Sequence, residues 1–150
     1  MVDVVDRTTR SRMMSGIGGK NTKIEVSVRR ELFRLGFRYG LHGSRLPGSP
    51  DLVMRKYRAV IFIHGCFWHQ HHCRLFKLPA SNRLFWKRKL EGNRLRDMRN
   101  IRKLRTQEWR VLEIWECAVR GKGPIGLVGV AQRTARWLKS DSTKGTIRGR

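Results

Sequence analysis

The order of apolar and polar positions predicts a chain in which helices alternate with short strands. Within residues 22–35, the apolar side chains of Ile24, Val28, Leu32 and Leu35 recur every three or four positions, which is the spacing of one helical face. A glycine follows this segment directly and is a typical stop signal for a helix. We therefore expect an amphipathic helix that packs its apolar side on a core.

Short apolar runs bounded by turn residues predict the strands of a sheet. Two such runs, at 51–54 and 58–64, are joined by a three-residue turn at 55–57 and predict a β-hairpin. The run WRVLEIW at 109–115 predicts a further, buried strand. A shorter strand is expected at 37–41.

The remaining segments predict helices around this sheet. Residues 83–105 carry ten Lys and Arg and read as a long basic helix, and shorter helices are expected at 7–17 and 127–138. Helices flanking a small mixed sheet define an α/β class. We expect one domain over 1–138, whose first 20 residues form an arm, and a basic, disordered tail over 139–150.

Charge narrows the class of partner. The 150 residues include 34 Lys and Arg against 11 Asp and Glu, a formal net charge of +23, and 24 of the basic residues are Arg. Because Arg favours bidentate phosphate contacts, nucleic acid is the first candidate partner and an anionic membrane surface the second. The balance argues against an acidic scaffold and against a metabolic enzyme with small neutral substrates. The longest apolar run, at 59–63, is too short to span a bilayer, and the first residues lack a signal-type apolar stretch, so we expect a cytosolic protein.

A cluster of cysteines and histidines predicts a metal site. The Cys-x4-His-x-Cys run at 66–73 supplies three soft or borderline ligands in eight residues, and Cys117 follows the third predicted strand. A Cys3His set suits a structural zinc, because four protein ligands leave no open position for water. By spacing alone, His69 and His72 compete with His71 for the histidine position. The alternative is three buried structural cysteines with incidental histidines.

Asp51 is a candidate ligand for a second, harder cation. It opens the first hairpin strand, and the hairpin directs it toward the end of the second strand, near Ile63 and His64. Magnesium prefers oxygen ligands and commonly takes one or two carboxylates together with substrate phosphate, which suits phosphodiester cleavage. A lone Asp after a proline is otherwise a turn or strand-start residue.

Three other titratable residues have both a catalytic and a structural interpretation. Glu25 follows Thr22 at the spacing of a capping box, and that spacing alone favours a cap over a catalytic role. His69 is a candidate general base because imidazole titrates near neutral pH, or a spectator between zinc ligands. Asp97 on the basic helix either orients that imidazole or pairs with a nearby Arg.

Aromatic residues beside basic ones predict an intercalating surface. Apolar wedges next to cations part stacked bases, and aromatic faces then stack on them; ordinary core packing is the alternative. The basic helix also places base-reading residue types on the face of its aromatic wedge. The candidates are Phe67, Trp68 and Trp86, a second wedge of Met13, Met14 and Ile17, and Lys89, Asn93 and Asp97 on the helix face of Trp86.

These segments together resemble the very short patch repair (Vsr) mismatch endonucleases over about residues 3–121. HGCFWHxHxC with a distant WEC is the most specific part of the resemblance. The matching segments are DRTTRSRMMSGI at 6–17, LPGSPDLV at 46–53, YRAVIFIHGCFWHQHHC at 57–73, FWKRKLEGNRLRD at 85–97 and WRVLEIWECAVRG at 109–121.

The resemblance implies a restriction-endonuclease-like fold and a strand-specific DNA endonuclease. It implies nicking 5′ to the thymine of a T:G mismatch, the product of 5-methylcytosine deamination, by a monomer in the bacterial cytosol, at the nucleoid. It also implies functional coupling to a cytosine methyltransferase and leaves open a mismatch-repair partner. The cofactors that the resemblance implies are a catalytic magnesium and a structural zinc. The alternative is a non-catalytic, zinc-containing nucleic-acid-binding module.

The resemblance also implies a role for each candidate residue. Asp51 binds magnesium with the backbone carbonyl of Ile63, His69 is the general base, and Glu25 and His64 support the attacking water and the scissile phosphate; this overturns the capping preference for Glu25. Asp97 as the partner of His69 is our own hypothesis. Zinc is held by Cys66, His71, Cys73 and Cys117. DNA is contacted by Phe67, Trp68 and Trp86 from the major groove, by Met14 and Ile17 from the other side, and by Lys89 and Asn93 at the mismatch.

One departure bears on the chemistry. Related nucleases end the hairpin with Glu-x-Lys, whereas this chain has Phe62-Ile63-His64 there. The second acid and the lysine are therefore both missing, so imidazoles must take the lysine's role. Because isoleucine has no side-chain ligand, Ile63 has only its carbonyl to offer a cation.

Overall fold

The computed structural model describes residues 22–71, 73, 76–120 and 125–149. The helix predicted at 7–17, and with it Met14 and Ile17, lies outside these residues. Within them, five strands form one mixed sheet in the order β1-β2-β3-β4-β5. The strands are β1 (Gly40–Leu41), β2 (Leu52–Met54), β3 (Ala59–His64), β4 (Arg110–Trp115) and β5 (Lys144–Ile147).

The first three strands are antiparallel and the last two run parallel to β3. In the β2–β3 hairpin, Leu52 pairs with Ile61 and Met54 with Ala59. The link is a 3-10 turn, Arg55–Tyr57, followed by Arg58 in the left-handed conformation at φ 51°, which returns the chain into β3.

Helices cover both faces of the sheet. They are α1 (Lys23–Arg34), α2 (Arg83–Thr106), α3 (Glu116–Val119) and α4 (Gly126–Leu138). The predicted α/β class with a mixed sheet and flanking helices is therefore confirmed. None of the helices in the described ranges is long and apolar enough to cross a membrane.

Alternation along β3 gives the sheet two cores. Successive strand residues point to opposite faces, so Ile61 joins the larger core beneath α1 and α4, where Leu32 and Val130 are buried. Phe62 points the other way, into a smaller core with Leu104 of α2. The α2 face is thus less completely covered than the α1/α4 face.

The C-terminal segment corrects one prediction. Residues 139–150 were expected to be disordered, but Lys144–Ile147 pair in parallel with β4 as the fifth strand. The open edge of β4 supplies the hydrogen-bond partners for this segment, and the polar sequence of the segment itself gives no sign of a strand. Ile147 is buried in the larger core. A Cβ on Gly145 would lie 2.5 Å from the Trp137 ring nitrogen, so close packing against α4 requires glycine there.

Two further elements differ from the sequence prediction. The strand expected at 37–41 is reduced to Gly40–Leu41, because Phe37 is instead buried in the core after α1. The short helix α3 directly after β4 was not predicted, and it carries Cys117 into the interior.

Candidate active site and metal centre

Asp51 lies beside the end of β3. The hairpin register brings it opposite this end, where the Ile63 backbone N–H donates a hydrogen bond of 2.6 Å to Asp51 Oδ2. The carboxyl group of Glu25, on α1, contacts Asp51. Two acids from separate elements, the buried Glu25 and the half-buried Asp51, therefore form one pair.

Glu25 is held by both of the interactions that the sequence suggested as alternatives. Thr22 Oγ1 accepts a hydrogen bond from the Glu25 backbone N–H at 3.2 Å and caps α1. The Glu25 side chain, only 1% exposed, points inward, where Oε2 lies 2.7 Å from Arg29 Nη1 and 3.0 Å from His42 Nε2. The cap and an inward-facing carboxylate are therefore compatible.

The charged form of Asp51 is electrostatically unfavourable in the absence of a metal cation, although Arg29 pairs with Glu25. Burial raises the pKa of Asp51 to about 8, and the neighbouring Glu25 carboxylate adds to the rise, while the hydrogen bond from Ile63 opposes it. A divalent cation would remove this penalty, since hard cations take one or two carboxylates as ligands. The donor set therefore fits magnesium.

Two imidazoles follow Ile63, the hydrogen-bond partner of Asp51, at the end of β3 and in the loop after it. His64, the last residue of β3, places Nε2 3.0 Å from Glu113 Oε2 on β4. His69 Nδ1 is hydrogen-bonded to Asp97 Oδ2 on α2. The two rings are 4.2 Å apart between centroids, and together with Asp97 they are close enough to share a cation.

The surroundings give the two imidazoles different properties. Burial lowers the pKa of His64, although Glu113 opposes the shift, so His64 is suited to act as a neutral hydrogen-bonding group. His69 is partly exposed. With its Nδ1 proton directed at Asp97, its Nε2 is the nitrogen available to accept a proton. We call Glu25, Asp51, His64, His69 and Asp97 the acid–imidazole cluster.

One left-handed residue separates this cluster from the cysteines. Gln70 adopts φ 50°, so His69 and His71 on either side of it point to different places. His69 reaches α2, whereas His71 Nδ1 lies 3.4 Å from Cys66 Sγ and 3.6 Å from Cys117 Sγ. His71 is therefore the histidine of the cysteine group among the described residues.

The four predicted zinc ligands converge. The ligand atoms of Cys66, His71, Cys73 and Cys117, which we call the Cys/His cluster, all lie within 4.8 Å of one another. With Zn–S near 2.3 Å and Zn–N near 2.0 Å, a tetrahedral site has N···S edges of about 3.5 Å. The two measured N···S distances match that edge, so the donor chemistry and the geometry both fit zinc.

Backbone groups around the Cys/His cluster also suit thiolate ligands. The Cys117 N–H donates to Cys66 Sγ at 3.3 Å, and the Gly149 N–H donates to Cys117 Sγ at 3.2 Å. Without a cation, burial and the neighbouring thiols raise the pKa of Cys66. Such N–H···S bonds stabilise charge on ligating sulfur.

The three predicted aromatic wedges form one partly buried group. Ring centroids are 5.2 Å apart between Phe67 and Trp68, 5.6 Å between Phe67 and Trp86, and 6.0 Å between Trp68 and Trp86. Lys89 Nζ lies 5.9 Å above the Trp86 ring. Asn93 Nδ2 donates to the Trp68 carbonyl at 3.1 Å. The helix face predicted to contact DNA therefore also supports the aromatic loop.

Three residues that hold the side chains or backbone of the candidate site were not predicted from the sequence. Glu113 had one signal, a lone acid in an otherwise apolar strand, but its partner His64 follows only from the β3–β4 register. Glu116, whose Oε1 accepts from the Cys66 N–H at 3.1 Å, had none. His42 had none either, because a left-handed turn at φ 49° brings it to Glu25.

An acid pair and two imidazoles at the end of β3, beside a Cys3His group that could hold a metal ion, define a class: basic proteins with a candidate hydrolytic site next to a candidate metal centre. The family model "DNA mismatch endonuclease Vsr" matches residues 2–75. The chain is 42% identical to the DNA mismatch endonuclease Vsr of Escherichia coli strain K12 over 147 residues, which is 98% of this chain and 94% of that protein.

Two nicking enzymes are similar as well. Identity is 41% to the type II nicking enzyme V.XorIIP of Xanthomonas oryzae pv. oryzae, over 83% of this chain and 92% of the relative. It is 43% to V.NmeAIP of Neisseria meningitidis serogroup A, over 81% of this chain and 87% of the relative. The chain belongs to the Vsr DNA mismatch endonuclease family.

Proposed function

We propose that this protein is a magnesium-dependent endonuclease that nicks one DNA strand 5′ to the thymine of a T:G mismatch arising from deaminated 5-methylcytosine. The names of its relatives, a mismatch endonuclease and nicking enzymes, support DNA cleavage. The mixed sheet with helices on both faces suits a restriction-endonuclease-like fold.

One observation carries the proposal: the Asp51–Glu25 acid pair and the His69–Asp97 pair both lie at the same end of β3. Asp51 contacts the Ile63 N–H, and His64, the next residue, lies against the His69 ring. This arrangement supports a cation site and a general base in one catalytic centre, as phosphodiester hydrolysis requires.

Asp51, with the Ile63 carbonyl, would hold the magnesium, which supplies charge for the phosphate and lowers the pKa of a bound water. Glu25 adds a second carboxylate and orients the water. His69 Nε2 accepts the water's proton, and Asp97 holds the imidazole in the required tautomer. His64 supports the site of the scissile phosphate by position, because its Nε2 N–H donates to Glu113 and its ring packs on the ring of His69.

Zinc in the Cys/His cluster has a structural role. Four protein ligands leave no position for substrate, so Cys66, His71, Cys73 and Cys117 staple the loop that carries His69 and the aromatic wedges to α3. Loss of that staple would release both the base and the DNA-contacting surface.

Recognition of the mismatched DNA combines the positive charge of the protein with intercalating aromatic side chains. The net charge of +23 supplies phosphate attraction, Phe67, Trp68 and Trp86 enter the stack from the major groove, and Lys89 and Asn93 contact the mismatch. A mismatched step costs less to open than a paired one, which gives selectivity. Met14 and Ile17 are proposed to enter from the opposite side.

The biological setting follows the same proposal. The enzyme acts as a monomer in the bacterial cytosol, at the nucleoid, where a cytosine methyltransferase supplies the methylated base whose deamination makes its substrate. Mismatch-repair proteins are candidate stimulatory partners.

The test is a nicking assay on a T:G duplex with and without magnesium, for the wild type and for Asp51→Asn. We expect magnesium-dependent nicking by the wild type, and at least about 10³-fold slower nicking by the variant, since an essential ligand is lost. Mismatch binding should persist in the variant. Cleavage retained by Asp51→Asn would reject the metal assignment, and binding without cleavage by the wild type would favour a non-catalytic zinc module.

A further inference from the structure

A cationic cleft lies between α2 and the β4–β5 edge, on the less covered face of the sheet. It has a volume of about 770 Å³, and five cationic side chains line it against two carboxylates. Both carboxylates, Asp97 and Glu113, already bond a histidine of the acid–imidazole cluster. The cations are Arg94, Arg102 and Arg105 of α2, Lys144 of β5 and Arg148.

The cations form a track along the helix. Arg94, Arg102 and Arg105 are spaced by eight and three residues, so they share one side of α2. At 1.5 Å per residue they extend over about 16 Å of helix axis. Lys144 faces them from the edge strand, so the cleft is positive on two walls.

The track begins at the reaction centre. His69 and Asp97 line the same cleft, and Asp97 lies one turn from Arg94 on α2. From Asp97 to Arg105 the helix rises about 12 Å, a distance that covers roughly two phosphates of one strand, because neighbouring phosphates lie farther apart than the 3.4 Å rise per nucleotide along the duplex axis. A strand whose scissile phosphate lies at His69 therefore has its next phosphates within reach of the arginines.

We propose that this cleft binds the sugar–phosphate backbone of the cleaved strand on one side of the nick. The inference rests on the proposed endonuclease function and assigns it a second phosphate-binding site. The cleft is too small for a duplex but fits the backbone of a few nucleotides, and Met98 and Ile101 provide apolar walls beside the cations. An acidic protein surface matches the charge equally, but it has no reason to begin at the base His69.

The experiment compares Arg94→Gln/Arg102→Gln with the matched control Arg133→Gln/Arg136→Gln. Both pairs are exposed helix residues, and both variants lose two positive charges. Arg133 and Arg136 lie on α4, whose apolar side packs on the opposite face of the sheet. Exposed substitutions of this kind leave the fold intact, which thermal unfolding checks.

The probe is a T:G duplex carrying single uncharged methylphosphonates at each of several phosphates flanking the scissile one, bound without added magnesium. In the wild type and the control, substitutions on one side of the nick should weaken binding several-fold. In the cleft variant the substitutions at the phosphates nearest Arg94 and Arg102 should lose their effect, and the slope of log K against log salt should fall in magnitude by about 1.8, or 0.9 for each lost contact.

The proposal is overturned if the cleft variant keeps the wild-type methylphosphonate pattern, or if its salt slope falls no more than that of the control. Either result would leave the cleft for an acidic protein partner. Nicking of the unmodified duplex by the wild type is scored separately. A wild type that binds with the expected pattern but never nicks would reject the proposed function and not the cleft.

Discussion

The Cys/His cluster and the acid–imidazole cluster share one loop, yet they are built in opposite ways. The Cys/His cluster takes three of its four ligands from residues 66–73 and is enclosed by backbone N–H groups. The acid–imidazole cluster collects its members from α1, the bend before β2, β3, the loop and α2. It opens onto the cationic cleft through His69 and Asp97.

This difference assigns the stability of the loop to the Cys/His cluster and the proposed chemistry to the acid–imidazole cluster. A closed Cys3His site has every ligand position filled by protein, so its binding free energy contributes to folding. In the acid–imidazole cluster, desolvation and the neighbouring Glu25 carboxylate disfavour the charged form of Asp51. This costs stability, and a bound divalent cation would relieve it. Because Gln70 is the only residue between His69 and His71, the closed site fixes the position of the open one.

The largest effect is expected from Cys73→Ala, which removes a ligand of the closed site. We expect loss of zinc and a drop of about 3 kcal/mol or more in the free energy of unfolding, because structural zinc binding is coupled to folding. Metal analysis and thermal unfolding measure the two quantities, and chelation of the wild type should reproduce both. A variant that keeps the wild-type melting temperature without zinc would contradict a structural role for the site.

More of the Cys/His cluster than of the acid–imidazole cluster could be predicted from the sequence, and the reason is physical. The Cys-x4-His-x-Cys spacing is local, so any compact turn brings its ligands together. The contact between Asp51 and Ile63 followed from the hairpin, which is also a short-range element. By contrast, Glu113 meets His64 only because Phe62 pairs with Glu113 across the parallel β3–β4 ladder, and that register depends on the packing of a whole crossover.

The same limit applies to the fold. The long helices and the hairpin follow from periodicity, and their predicted bounds differ by one or two residues from those observed. The strand β5 was missed because Ile147 is its single strongly apolar residue and its stability comes from the edge of β4. A segment that becomes a strand only through its neighbour carries no periodic signal of its own.

A smaller effect, confined to the open site, is expected from Asp97→Asn. The asparagine retains the size of the side chain but can present an amide N–H to His69 Nδ1, which favours the wrong tautomer. Nicking should fall by about 10²-fold, the lower end of the contribution of a positioned general base, while zinc content and melting temperature stay unchanged.

The control for that prediction is Asp141→Asn, which removes an exposed acid in the C-terminal segment and should leave nicking unchanged. The split between kcat and KM provides a second readout, since a misplaced base lowers kcat and leaves KM unchanged. If Asp97→Asn lost zinc or stability to the extent of Cys73→Ala, the two clusters would not be separable and the comparison would fail.

The smallest effect concerns the stability of the magnesium-free protein. Burial raises the pKa of Asp51 from its ordinary value to about 8, so between about pH 4 and pH 8 the folded state binds a proton that the unfolded state has released. The contribution of Asp51 is therefore fully present at low pH and is lost as the pH rises through 8. Asp51→Asn, which keeps an acceptor for the Ile63 N–H, should be free of this loss.

We therefore expect Asp51→Asn to melt a few degrees above the magnesium-free wild type at pH 8.5, since about 1 kcal/mol shifts the melting temperature of a domain this size by roughly 2–4 °C. The gap should close toward pH 5, where Asp51 is protonated and neutral in the folded wild type. Adding magnesium at pH 8.5 should raise the melting temperature of the wild type and not that of the variant. A gap that stayed constant with pH would mean that the acid pair is not the source of the penalty, and the open site would then be no less stable than the closed one.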